Sequence, residues 1–244
     1  MTGPTALSAN ERFTRESSPL PWLYRTLRGP VRKALARWFD LQIDGLENLP
    51  SSGPYLLAAN HHNYLDGIVL GVATPEPISF LVMPRVWRAT PLHPIFHRHV
   101  GSIPINLERP DVGALRRALH LLQDGGVVGI FPEGPFSVRG RLEPGLPGVA
   151  LLALRSGVPV VPAGIRGTFE ALEGRRGYIP RRVPLGVRFG PARRFSVVRA
   201  ASRRGVGASP AEARLPIEDG TNDRRSARLF VTRRIMDDIA ALLP

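Results

Sequence analysis

The chain has 244 residues, 43% of them apolar and 22% charged, which is enough for one large or two small domains with a packed core and excludes global disorder. Cysteine is absent, which excludes a disulfide framework, a thiolate nucleophile and a zinc site built on cysteine. Lys and Arg outnumber Asp and Glu by 33 to 20, with Lys33 the single lysine, and an excess of this size calls for nucleic acid, an anionic membrane surface or phosphorylated small molecules as partner.

Residues 1–19 are polar and aperiodic and are expected to form a flexible tail. They lack the basic-then-apolar run and small-residue cleavage site of a secretory signal. No later run approaches the ~18 apolar residues of a membrane span, so a cytoplasmic protein is expected. Over 20–40, Leu20, Leu23, Tyr24, Leu27, Val31, Leu35, Trp38 and Phe39 recur at helical steps, with Arg25, Arg28, Arg32, Lys33 and Arg37 between them. This predicts an amphipathic helix, bent or broken at Gly29-Pro30, of the kind that suits a membrane interface or docks its stripe on the protein's own core.

From residue 41 onward, apolar runs at 55–59, 78–83, 127–131, 158–161 and 183–189 read as strands, several apolar enough to be buried on both faces. Between them 66–73, 111–123 and 148–155 read as helices. The second presents Val112, Leu115, Leu119 and Leu122 as a stripe and stops at Gly125-Gly126. From Arg166 to Arg204 eleven arginines face only Glu170 and Glu173, which concentrates nine of the thirteen net charges there. The Gly-, Ala- and Arg-rich segment 202–220 reads as a surface loop, and 223–243 as a closing helix through Leu229, Ile235, Ile239 and Leu242. The alternation predicts an α/β class: a single-domain sandwich over 41–244 around a largely parallel sheet.

Common site signatures are missing: the sequence has no phosphate loop, no dinucleotide fingerprint, no G-x-S-x-G elbow and no H-E-x-x-H pair. Charge alone also fits nucleic acid, but no helix-turn-helix, finger or RNA-recognition signature accompanies it. His93, His97 and His99 crowd together without a neighbouring carboxylate and read as a polar loop rather than a metal site. The segment Asn60-His61-His62-Asn63-Tyr64-Leu65-Asp66 stands out because it joins an apolar strand to an apolar helix. On a regular helix His61 and Asp66 would lie ~140° apart. They can meet if His61 precedes the helix and Asp66 reaches back from its first turn, fixing the imidazole tautomer and leaving Nε2 basic. On spacing alone either His61 or His62 could be that base. A second carboxylate, Glu133, follows the apolar strand in Phe131-Pro132-Glu133-Gly134-Pro135, and Gly134 permits close backbone approach there. Val158-Pro159-Val160-Val161-Pro162 is an apolar run bracketed by prolines.

Together these segments resemble the glycerolipid acyltransferase family that includes lysophosphatidate acyltransferases. Asn60, His61 and Asp66 match its N-H-x-S-x-x-D motif, with Asn63 in place of serine. Residues 101–105 resemble its second motif, 131–134 match F-P-E-G and 158–162 match V-P-V-V-P, so the likeness extends from about residue 41 to about 200. The resemblance implies a glycerol-3-phosphate acyltransferase-like fold and transfer of a fatty acyl group from acyl-CoA or acyl carrier protein to a lipid hydroxyl, in phospholipid biosynthesis. It implies His61 as general base, Asp66 as its partner, Glu133 as acceptor of hydrogen bonds from substrate hydroxyls, and oxyanion donors near Gly134 or the Asp66 helix start. No metal or other cofactor is implied. The enzyme would lie peripherally on the inner face of the cell membrane. Two departures bear on the acceptor, because the family's phosphate-binding arginines fall on Leu107 and Phe136. Arg109, Arg139, Arg141 and Arg166 are the cations that could replace them; otherwise the acceptor is a lipid that lacks that phosphate, such as a lyso-aminolipid or another hydroxylated lipid, or the chain is a family member that binds lipid without catalysing.

Overall fold

The computed structural model describes residues 21–87, 97–106, 111–173, 179–199, 212–217 and 221–244. The tail expected at 1–19, together with His93, Leu107 and Arg109, lies outside the described residues.

Seven strands form the main sheet among the described residues: β1 (Gln42–Asp44), β2 (Tyr55–Ala59), β3 (Ile78–Val82), β4 (Ile103–Pro104), β5 (Val127–Ile130), β6 (Val160–Arg166) and β7 (Gly186–Phe189), in the order β1-β7-β6-β2-β5-β3-β4. Every neighbouring pair is parallel except β6 with β7, so the sheet is largely parallel and mixed, as expected. β2 sits at its centre, with Leu56 opposite Val128 of β5 on one side and Val160 of β6 on the other. Helices cover both faces: α1 (Pro21–Phe39), α2 (Leu65–Ala73), α3 (Pro84–Trp87), α4 (Val112–Gln123), α5 (Gly148–Ser156), α6 (Thr168–Ala171) and α7 (Thr221–Ala240).

The two-faced burial explains the unbroken apolar run of β2. Alternate side chains leave a strand on opposite faces. Tyr55, Leu57 and Ala59 enter a core shared with α1 and α2, while Leu56 and Ala58 enter a second core shared with α4, α5 and α7. Both faces are therefore apolar. At the start of α4, Asp111 Oδ1 accepts the Ala114 N–H at 2.9 Å, and Gly157 ends α5 in the left-handed region at φ 65°.

Several expectations are corrected. α1 runs unbroken through Pro30; Gly29 and Pro30 lie on its exposed side, where the ring meets solvent rather than a packed neighbour. Leu35 and Phe39 of α1 are buried in the core with α2, while Leu27 and Trp38 are exposed. The buried stripe of α4 is Ala114, Ala118 and Leu122, and Val112 is 63% exposed, because small residues let the helix lie close to the sheet. In α7, Ala227, Val231, Ile235 and Ile239 face inward and Leu229 outward. The strand expected at 158–161 continues to Arg166: Pro162 lacks an N–H, but its carbonyl accepts the Gly190 N–H at 2.9 Å. The segment 202–220 is not a loop throughout, since Glu212–Ile217 forms β9, parallel to β8 (Arg194–Arg199), with Arg194 opposite Glu212 and Arg199 opposite Ile217. Ala213, Leu215 and Ile217 alternate with polar or proline positions, a strand period that composition masks. The rest of 202–220 lies outside the described residues.

Candidate active site

Parallel pairing brings the carboxyl ends of β2, β5 and β6 to one edge of the sheet, where α/β proteins display functional groups. At the end of β2, Asn60 bridges to β6: its Nδ2 donates to the Ile165 carbonyl at 2.9 Å and its Oδ1 accepts the Ile165 N–H at 2.7 Å. Asn60 is fully buried, and this two-way bond fixes where the strand gives way to the following loop.

His61 precedes α2, and Asp66 lies in the first turn of that helix. His61 Nδ1 is 2.9 Å from Asp66 Oδ2, and the same oxygen accepts the His62 and Asn63 backbone N–H groups at 2.6 and 2.8 Å. The carboxylate thus organises the turn and orients the ring together. Asn63, at the family's serine position, accepts the Leu65 N–H at 2.9 Å and donates to the Thr168 carbonyl at 2.6 Å, fastening the turn to α6. The His61 ring stacks on Phe131 at 3.7 Å between centroids and meets Phe136 edge-on at 4.5 Å. With Nδ1 committed to Asp66, Nε2 is the nitrogen left for proton transfer.

The structure separates the two histidines that spacing left open. His62 Nδ1 lies 3.3 Å from Thr168 Oγ1, and burial lowers the pKa of the ring. His61 lines a cavity of about 710 Å³, and His62 is not among its lining residues.

Glu133 takes a different place from the one expected at the acceptor. It is 4% exposed, does not line the cavity, and points both oxygens at backbone: Oε1 accepts the His61 N–H and Oε2 the Glu143 N–H, each at 2.7 Å. Burial raises its pKa to about 7, with those two hydrogen bonds acting in the opposite direction. The Ser137 N–H donates to the His61 carbonyl at 2.8 Å, so the His61 backbone is held from both sides by the 131–143 loop. Gly134, at φ 81°, lines the cavity, but its N–H is donated to the Phe131 carbonyl at 3.0 Å and is not available as an oxyanion donor in this geometry.

The cavity is lined mainly by aliphatic and aromatic side chains from α1, from segments 64–72 and 78–86 and from the 131–136 loop, including Val31, Tyr64, Ile68, Phe80 and Met83, and His97 and His99 also line it. Tyr24 of α1 donates its hydroxyl proton to the Gly71 carbonyl of α2, which holds α1 across the cavity as a wall. Ser102 and Ile105, on either side of β4, also line it, whereas the 158–162 motif builds the start of β6 and contributes no lining side chain. Phe136, at a position where the family carries arginine, lines the cavity beside His61. Arg139 and Arg141 are exposed and line no part of it, Arg141 lying 3.9 Å from Glu143. Arg166 bonds Gln42 at 3.1 Å at the β1 edge. Arg28 does line the cavity, and only the docking of α1 distinguishes it from its basic neighbours.

A buried His–Asp pair thus stands at the carboxyl edge of a mixed α/β sheet, with its histidine in the wall of a mainly apolar cavity. The family model described as Acyltransferase matches residues 40–166, and the chain belongs to that family. It is similar to the 1-acyl-sn-glycerol-3-phosphate acyltransferase BAT2, chloroplastic, of Brassica napus, at 34% identity over 54% of this chain and 38% of that protein. It is also similar to the 1-acyl-sn-glycerol-3-phosphate acyltransferase of Bacillus subtilis (strain 168), at 25% identity over 62% of this chain and 75% of that one. The chain thus spans well under half of its Brassica relative. The crystal structure of the 1-acyl-sn-glycerophosphate (LPA) acyltransferase PlsC from Thermotoga maritima shares the fold, with a TM-score of 0.62 and 20% identity over 90% of this chain and 80% of that chain.

Proposed function

We propose that this protein transfers a fatty acyl group from acyl-CoA or acyl carrier protein to a hydroxyl of a lysophosphatidate-like lysophospholipid, with His61 as general base. The observation that carries the reading is the His61–Asp66 pair in the wall of the apolar cavity. His61 Nε2 removes the proton of the acceptor hydroxyl as that oxygen attacks the thioester carbonyl carbon. The tetrahedral intermediate then expels the thiolate, and the imidazolium returns its proton to the leaving sulfur. Asp66 stabilises the imidazolium without itself taking the proton. The cavity holds the acyl chain, whose burial drives its binding at roughly 0.8 kcal/mol per methylene. The names of the Brassica and Bacillus relatives support a 1-acylglycerol-3-phosphate acceptor.

A specific observation favours a second acceptor class. Phe136 places an aromatic edge beside His61 where the family carries arginine, which suits a lipid hydroxyl without a glycerol phosphate. Incubation with labelled palmitoyl-CoA and a panel of lysophosphatidate, glycerol 3-phosphate, lyso-aminolipids and neutral lysolipids separates the two. Transfer to lysophosphatidate is the expected result. Transfer confined to acceptors without that phosphate selects the second reading, and no transfer from palmitoyl-CoA or, in a parallel incubation, from palmitoyl-acyl carrier protein refutes both.

Among the described residues no helix is long and apolar enough to cross a membrane. Arg25, Arg32, Lys33, Arg37 and Trp38 are exposed on α1, the helix that walls the cavity. This supports peripheral attachment to the inner, anionic face of the cell membrane, where each basic residue contributes ~1 kcal/mol. In the arginine-rich stretch, Arg166 and Arg188 lie 3.9 and 3.8 Å from Asp44 and Arg181 lies 3.9 Å from Glu173, exposed pairs too weak to spend much of its charge.

A further inference from the structure

The inward stripe of α1 contains one residue of the wrong polarity. Tyr24, Arg28, Val31 and Leu35 follow one another at helical steps and face the body of the protein, while Arg25, Arg32 and Arg37 are exposed. Arg28 lines the same cavity as His61, and among the described residues it is the only lysine or arginine to do so. Its Nε is shielded from solvent and has no hydrogen-bond partner. No Asp or Glu among the described residues lines the cavity, so the cavity offers no carboxylate to pair with this cation.

A guanidinium nitrogen withdrawn from water beside apolar walls requires an acceptor, and an acyl chain has none to offer. An acceptor that enters with the substrate would meet this need, and a negatively charged one would also match the charge of the guanidinium. We infer that Arg28 forms an anion subsite of the cavity, receiving a phosphate ester group of a bound substrate on its guanidinium fork. The inference rests on the acyltransferase reading above. It gives the cavity one guanidinium, together with His61, His97 and His99, along mainly apolar walls, an arrangement that suits an amphiphile with a phosphorylated head. It also moves the phosphate-binding cation from the loops that follow the strands to the helix that closes the cavity. Phe136 can then pack against His61 without loss of the anion site.

The test uses the full chain and a probe that needs no turnover: calorimetric titration with decyl phosphate and, separately, with decanol. The wild type is expected to bind decyl phosphate roughly 10-fold or more tightly than decanol. Arg28→Gln is expected to abolish that preference while still binding decanol, which shows that the cavity is intact, and Arg28→Lys to retain part of it. Equal affinity for the two probes in the wild type, or an undiminished preference in Arg28→Gln, overturns the inference. Steady-state kinetics then identify the source of the phosphate. A KM for lysophosphatidate raised roughly 10-fold with the KM for palmitoyl-CoA unchanged assigns it to the acceptor, and the reverse pattern assigns it to the donor. Complete absence of transfer by the wild type would refute the acyltransferase reading, whereas the calorimetric preference tests the subsite independently.

Discussion

Glu133→Gln separates a carboxylate that holds His61 in place from one that binds substrate. In the native protein both oxygens accept buried backbone N–H groups, from His61 and Glu143, each at 2.7 Å. A glutamine amide supplies one acceptor and one NH₂, so one of those N–H groups would face a donor. Even a protonated carboxyl keeps a second oxygen able to accept, which an NH₂ does not, and leaving a buried N–H unmet costs about 1–3 kcal/mol, or about 2–12 °C in melting temperature for a chain of this size. The charge itself works the other way. Burial raises the Glu133 pKa from 4.5 to about 7, so the native state holds this proton more tightly than the unfolded chain. That contribution to stability is present below pH 4.5 and is lost as pH rises through about 7. Glutamine has no such dependence, so the melting gap should be widest near the lower end of the window and narrow above the upper. Misplacement of the His61 backbone should lower kcat roughly 10- to 100-fold while the acceptor KM changes less than about 3-fold. Thermal melts across pH, with kcat and KM beside them, make the check. An unchanged melting temperature with a raised acceptor KM would refute the positioning role and return Glu133 to the substrate.

Asp66→Asn keeps an oxygen able to receive the three donors that converge on Oδ2 but loses the charge that stabilises the imidazolium; kcat should fall roughly 100- to 10,000-fold, measured by initial rates of acyl transfer. Gly129→Ala places a Cβ 2.4 Å from Phe80 and 2.7 Å from Ile78. Phe80 stacks on Phe131, which stacks on His61, so a loss of about 1–3 kcal/mol in denaturant titration should be accompanied by lower kcat. The exposed basic face of α1 predicts that the protein pellets with vesicles containing phosphatidylglycerol at low salt and is released near 1 M salt, where the Debye length falls to about 3 Å; retention in solution at every salt concentration would refute membrane attachment.

Legibility in the sequence followed the range of the interactions. The apolar run at 55–59 announces a strand covered on both faces, and the His61–Asp66 contact lies within five residues, close enough for a strand-to-helix junction to imply it. β1 and β4 escape because three and two residues carry too little period to register. Pro162 reads as a terminator, although β6 continues through it and turns its carbonyl toward Gly190. The role of Glu133 depends on a partner 72 residues away, and that of Arg28 on how α1 rotates against α2. Neither leaves a local pattern. Motif identity located Glu133 without revealing that it faces backbone, while Arg28 sits among similar arginines that point to solvent.

The most direct test of the central claim is the single-turnover rate of acyl transfer from palmitoyl-CoA to lysophosphatidate in the wild type, His61→Gln and His62→Gln. Loss of roughly 100- to 10,000-fold in His61→Gln, with His62→Gln within about 3-fold of the wild type, is the predicted result. A folded His61→Gln enzyme that transfers the acyl group at a rate near that of the wild type would contradict it.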